Sequence, residues 1–300
     1  MGKSILKNKE RYLLILPGLA WYVIFAYVPI AGLSLAFKKF IAKAGLFGSP
    51  WIGLYNFHNV LADPAFLRSI FTTLWINAGR LIFVFPFPII LALFFNEVRL
   101  GRSKKVLQSV FTFPNFLSWV IVASVMVSIL GRAGMVNAVF GLLFGTKPVS
   151  FLGTPSYFRP IVYITDIWKS AGWSAIIYMA SIAGIDTEQY EAAEIDGASR
   201  LRRMWHITLP GIKPTIIVLF ILAVGYLMSG GFEQIFNLSN PATLKVAETL
   251  DMYIYRITFR GSVDFSFSAA VALFRSVINL LLLLTADRII RRFGGSGLLA

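Results

Sequence analysis

Cysteine is absent from this 300-residue chain, histidine occurs twice, and Asp and Glu together number 14 against 28 Lys and Arg. The first absence excludes structural disulfides and thiolate metal sites. His58 and His206 lie far apart, and neither H-E-x-x-H nor G-x-S-x-G occurs, so no paired-histidine or serine-nucleophile site can be read. A G-x-x-x-x-G-K-[ST] phosphate loop is also missing, and Gly145-Thr146-Lys147-Pro148 lacks its spacing. Catalysis by this chain is therefore not expected, and no cofactor or metal is assigned to it. No repeat, low-complexity tract or flexible linker divides the sequence, which reads as one membrane domain over residues 1–300.

Charge itself is scarce: 14% of residues are charged, where an ordinary soluble domain has about 25%. Hydrophobic residues make up 57%, and the mean hydropathy is +0.73. This is the composition of an integral, all-α membrane protein. A spanning helix needs about 20 mainly apolar residues, and six runs qualify: 12–37, 69–95, 106–130, 159–182, 214–230 and 265–289. The net charge of +14 would point to nucleic acid in a soluble protein. Here it is assigned to loops beside anionic lipid, and no nucleic-acid partner is expected.

Six spans put both termini on one side. Lys3, Lys7, Lys9 and Arg11 precede the first span, which has no small-residue cleavage site at a suitable distance and is expected to remain as an anchor. Positive charge places that side in the cytoplasm. Arg99, Arg102, Lys104 and Lys105, then Arg200, Arg202, Arg203 and Lys213, then Arg288, Arg291 and Arg292 fall on the same side. Lys38, Lys39, Lys43, Arg256 and Arg260 fall outside, on longer loops where the rule weakens. The apolar stretch 134–144 is expected to form a short interfacial helix rather than a crossing.

Polar groups within spans are expensive and point to function. Asp166, Lys169, Ser170 and Trp173 stand at i, i+3, i+4 and i+7, one helix face. Two readings stay open for that face: an Asp166–Lys169 ion pair that is structural, or a wall of a transport pathway. Sugars bind through hydroxyl hydrogen bonds and apolar ring faces, so Trp173 beside polar groups suits a carbohydrate. The fifth span carries Tyr226 and Ser229, followed by Gly230, Gly231 and Glu233; the glycines either admit a ligand close to the backbone or end the helix. Arg80 and Arg275 are further charges within spans, able to pair across helices or to attract an acidic substrate.

Between the fourth and fifth spans lies a charged segment, EAAEIDGASRLRRMWHITLP, at residues 191–210. Asp186 with Gln189 can cap a helix start, and good helix formers follow up to Asp196. Gly197 can take the left-handed conformation that ends the helix. A second short helix over 198–205 is expected, closed by Pro210. Such a helix-turn-helix between spans suits insertion into a cleft on another protein.

Glu191, Ala192, Ala193, Asp196, Gly197, Ala198, Ile207, Leu209 and Pro210 resemble the EAA loop of permease subunits in binding-protein-dependent ABC importers. The resemblance implies a type I importer permease fold, six spans, and a cytoplasmic coupling loop at 186–210 set in a groove of an ATPase. Glu191 would meet a basic group there, Gly197 would make the turn, and the segment after it, with Arg200, would be the coupling helix. It also implies a second related permease, two ATP-binding cassette ATPases that hold ATP and Mg, an extracytoplasmic solute-binding protein, and a bacterial plasma membrane. In maltose-type permeases the spans flanking the loop hold sugar, at positions matching Lys169, Ser170, Trp173, Tyr226, Leu227 and Gly230. Trp51, Gly53, Leu54, Tyr55, Asn56 and Phe57 resemble the GL-x-NF segment of sugar permeases. Further segments, GFEQIFNLSNP and DFSFSAAVALFRSVINLLLLLTADRIIRR among them, resemble the oligosaccharide subgroup that includes alginate importers, and the loop 231–264 would face the binding protein. An ion-coupled secondary transporter using Asp166 and Lys169, and a scaffold that only anchors an ATPase, are the alternatives from other classes. The first would ordinarily show internal repeats; the second would not need a polar face inside its spans.

Overall fold

The structure is a computed structural model that describes residues 9–98, 101–229, 231–260 and 264–292. Among these, helices account for nearly all regular structure, with a single isolated β-bridge between Lys38 and Trp51. The principal helices are α1 (Lys9–Phe37), α2 (Tyr55–Ala62), α3 (Pro64–Glu97), α4 (Gly101–Thr112), α5 (Trp119–Leu130), α6 (Met135–Phe144) and α7 (Pro155–Ala183). They continue as α8 (Thr187–Ile195), α9 (Arg200–Gly211), α10 (Lys213–Gly225), α11 (Phe232–Leu238), α12 (Leu250–Phe259) and α13 (Phe265–Arg292).

Prolines shape the long helices. Within α1, α3 and α9 a π-helical turn runs over Val23–Tyr27, Arg80–Val84 and Met204–Thr208, with Pro29, Pro86 and Pro210 just beyond each turn. Proline lacks an N–H and its ring crowds the carbonyl of the preceding turn. Widening that turn to i→i+5 bonding relieves the crowding without ending the helix. The Phe85 N–H accordingly donates to the Arg80 carbonyl at 2.9 Å. Pro210, expected to close its helix, is instead carried within α9, and the chain bends by 58° between α9 and α10.

Among the described residues, four stretches are long and apolar enough to cross a membrane by length and composition: Lys9–Phe37, Pro64–Glu97, Trp119–Phe144 and Phe265–Arg292. The bent pair α9–α10 makes a fifth if it counts as one crossing. α7 has 29 residues, but Arg159, Asp166 and Lys169 make it too polar to qualify by composition. The expected span 106–130 is two helices, because Pro114 sits in a tight 3₁₀ turn, Phe113–Phe116, and Ser118 then caps α5 by accepting from the Ile121 N–H. Alone, α5 is 12 residues, about 18 Å. The stretch 134–144, expected as an interfacial helix, is α6 and extends this apolar run. Gly230, at the end of the expected span 214–230, lies outside the described residues, as do Lys3, Lys7 and Arg99.

The chain divides into two compact units, Met1–Leu67 with Tyr253–Val277, and Arg68–Met252 with Ile278–Ala300. The first is held by aromatic packing of Phe66 on Tyr253 and Phe274, and of Phe57 on Phe274. Its GL-x-NF segment closes the end of α1: Gly53 turns at φ +61°, and the Asn56 amide donates to the Ala36 and Lys38 carbonyls at 2.9 and 3.0 Å. The second unit is organised around α7, which packs on α3 and α4. One core gathers Ile76, Val162, Ile235 and Met252, and another Ala92, Ala175, Tyr178 and Ile212. Gly172 permits a close approach of α7 to α4, since a Cβ there would collide with the Phe111 carbonyl.

Candidate substrate cavity and coupling loop

Within the second unit, α3, α5, α7, α10 and α11 contribute to the lining of an open cavity of about 460 Å³. Arg80 and Asp166 are the charged residues that line it. The Arg80 Nε lies 3.0 Å from Asp166 Oδ2, with both side chains largely buried, and Nη1 donates to Asn77 Oδ1 at 2.9 Å. Nη2 donates to Gln234 Oε1. Each partner is itself held. The Gln234 amide donates to the Val162 carbonyl at 2.7 Å and to Thr165 Oγ1 at 2.9 Å. The Asn77 amide donates to the Leu227 carbonyl at 2.8 Å. Ser170 Oγ reaches the Asp166 backbone carbonyl and Oδ1 at 2.6 and 3.2 Å. Opposing charges in low dielectric attract strongly but are costly to desolvate, so an ion pair whose Nη1, Nη2 and Oδ1 atoms are also hydrogen-bonded is the arrangement a buried wall tolerates.

The remaining lining mixes Ser174, Tyr226, Ser229 and Trp119 with Leu81, Val84, Phe85, Ile177 and Leu219. Asn279 on α13 ties the end of the α10 segment, accepting from the Met228 N–H at 3.0 Å and donating to Ser229 Oγ at 2.8 Å. Gly231, at φ +82°, brings the backbone against the Arg80 guanidinium, where any side chain would collide. The glycine expected to admit a ligand or end a helix thus admits an arginine.

The polar face of α7 divides. Advancing about 100° per residue, Asp166, Ser170 and Ser174 turn into the cavity. Lys169 and Trp173 turn toward the α4–α5 link. Lys169 Nζ donates to the Asn115 carbonyl at 2.7 Å and stands over the Trp119 ring at 5.4 Å. Trp173 is 49% exposed and meets Phe116 edge-on, with centroids 5.8 Å apart. The carboxylate of Asp166 therefore pairs with Arg80 and not with Lys169. Tyr226 and Leu227 line the cavity; Arg275 belongs to the other unit and does not. Asn77, Trp119 and Gln234 were not singled out from the sequence. Asn77 one turn before Arg80 is the signal that was available, as a second polar residue on the same face of an apolar run.

The charged loop forms a separate feature. Asp186 caps α8 by accepting from the Glu188 N–H at 3.0 Å. At the other end Gly197 takes φ +75°, the Ala198 N–H donates to Ala193 O at 2.8 Å and the Gly197 N–H to Glu194 O at 3.0 Å. These are the two bonds of a Schellman closure. Ser199 then caps α9, accepting from the Arg202 N–H. That helix begins at Arg200 and continues beyond Trp205 to Gly211. Arg203 pairs with Glu194 at 2.7 Å, and Tyr190 bonds Thr208 at 2.9 Å, joining the two arms. Glu191, Ala192, Asp196, Gly197, Arg200 and Pro210 are exposed, and Ala193, Ala198 and Leu209 half-buried. Ile195, at 88% exposure, stands out from the loop with Leu201 and Trp205. His206 Nδ1 contacts the Arg202 carbonyl. Among the described residues no cluster of His, Cys, Asp and Glu could hold a metal ion.

The profile described as "Binding-protein-dependent transport system inner membrane component" matches residues 84–295. The chain is 41% identical over 296 residues to the polygalacturonan/rhamnogalacturonan transport system permease protein YteP of Bacillus subtilis (strain 168), covering 98% of this chain and 92% of that protein. It is 40% identical to protein LplB of the same organism, with the same coverage. A bacterial alginate ABC transporter, crystallised in complex with an alginate pentasaccharide-bound periplasmic protein, includes a chain that matches this fold with a TM-score of 0.89 and 36% identity over 99% of each chain.

Proposed function

Because this chain belongs to the family of binding-protein-dependent transport system inner membrane components, we propose that it forms half of the translocation pathway of an ATP-driven importer of oligosaccharides. It is a multi-span transport subunit and not itself an ATPase. The observation that carries the sugar reading is the cavity: amides, hydroxyls, an indole and a phenol around a compensated ion pair suit a ligand rich in hydroxyls with apolar ring faces.

In this reading residues 1–300 form one transmembrane domain with six crossings, α7 among them, and both termini in the cytoplasm of a bacterial cell. A second permease completes the pathway, two ATPases carry ATP and Mg, and an extracytoplasmic binding protein delivers the sugar. The loop 186–210 docks in the ATPase, Glu191 meeting a basic group and Ile195, Leu201 and Trp205 offering apolar contact. Arg200 adds charge to the same surface. ATP-driven closure of the ATPases, transmitted through α8 and α9, turns the pathway outward; hydrolysis returns it. Only a difference in how the loop binds its groove in the two states can shift that equilibrium.

The test is ATPase activity of the reconstituted complex with its binding protein, against neutral and uronic-acid oligosaccharides, with and without Glu191→Lys. Stimulation by a sugar that the substitution abolishes, with membrane insertion intact, is the expected result. ATP-independent uptake would overturn the reading.

A further inference from the structure

We infer that Arg80 and Asp166 act as an internal clasp joining α3, α7 and α11, which leaves the cavity electrically neutral and makes it select hydroxyl-bearing rings rather than the charge of a sugar. This rests on the pathway reading above. A lone arginine in a transport cavity would be a receptor for a substrate carboxylate, but here Nε, Nη1 and Nη2 are engaged by Asp166, Asn77 and Gln234. The Gly231 backbone closes over the same guanidinium. Those partners are fixed in turn by Leu227, Val162, Thr165 and Ser170, so the cluster cannot turn Arg80 outward without breaking bonds on three helices. A substrate carboxylate would have to displace Asp166, only 18% exposed, and leave it buried and unpaired, which costs more than the new pair returns. The two cations of α7, Arg159 and Lys169, do not line the cavity; Lys169 is held by the Asn115 carbonyl and Trp119, and Arg159 stands over the Trp75 ring. What remains toward the cavity is hydroxyl, amide, aromatic and aliphatic, with no further charge.

The clasp and receptor roles separate in a double-mutant cycle of Arg80→Met and Asp166→Leu, read as sugar-stimulated ATPase activity per assembled complex. The probes are galacturonic-acid and galactose oligosaccharides of equal length. For a clasp, each single variant loses about tenfold or more, with the ratio of acidic to neutral response unchanged from the parent. The double variant returns to within about threefold, because an apolar pair leaves no orphaned charge. For a receptor, Arg80→Met selectively loses the acidic probe, Asp166→Leu strengthens it, and the double variant stays as defective as Arg80→Met; any of these would overturn the inference. Gly231→Ala offers a milder displacement of the guanidinium and is expected to lower both probes alike; sparing of the neutral one would again overturn it. No stimulation of the unmodified complex by any sugar would instead sink the proposed function, and the inference with it.

Discussion

The charged loop at 186–210 and the cavity cluster are both built from charged and polar residues, yet they are assembled in different ways. In the loop, the caps and the turn close within a few residues: Asp186 to Glu188, Ala198 to Ala193, Arg202 to Ser199. In the cavity, Asn77 reaches Leu227, Arg80 reaches Asp166 and Gln234, and Gln234 reaches Val162. A locally bonded unit keeps its shape while its neighbours move, which suits the docking role proposed for it. A cluster drawn from several helices exists only while those helices hold one arrangement, so its bonds depend on how those helices pack.

Breaking the loop at its turn should have the largest effect. Gly197→Pro demands a φ near −65° where the chain has +75° and removes the N–H that donates to Glu194, a local cost of about 3 kcal/mol or more. Sugar-stimulated ATPase activity is expected to fall to background while the protein still inserts, as membrane fractionation would check. Next comes the packing that supports the cavity: Gly172→Leu drives a side chain into the Phe111 carbonyl, an overpacking cost of about 1–3 kcal/mol. Thermal unfolding in detergent should shift down by several degrees, and an unchanged midpoint would contradict the close α4–α7 contact. Asn77→Ala removes the donor to Leu227 and one partner of Arg80, with an expected loss of about 1–3 kcal/mol by the same measurement. Smallest is Arg203→Ala, whose partner Glu194 is mostly exposed; it should cost under about 1 kcal/mol and weaken further in high salt.

The ease of reading the two regions follows from the same contrast. Gly197 as the left-handed closure and Asp186 as the cap were legible because both depend on residue type and immediate neighbours. So was the all-helical membrane class. The helix ends around prolines were less so: Pro114 broke an expected span, while Pro210 did not end its helix, because a π turn absorbed it. A proline's effect depends on whether the preceding turn can widen, which spacing alone does not reveal. The i, i+3, i+4, i+7 face of α7 was a correct helical arc, but it met two different neighbours and was divided between them. Asn77 was readable one turn before Arg80 on the same helix, whereas Gln234 became visible only once α11 packed against Arg80.

The amino-acid sequence by itself determined the solvent this protein occupies, its helical build, and the conformation of its charged loop, since hydrophobicity, capping and glycine's left-handed freedom are properties of short stretches. Tertiary structure alone decided which charges meet. Asp166 has Lys169 one turn away and Arg80 in another helix, and the helix packing around Gly172 and Gly231 selects Arg80. Electrostatic partners are chosen by three-dimensional distance and burial, and neither is written in sequence spacing.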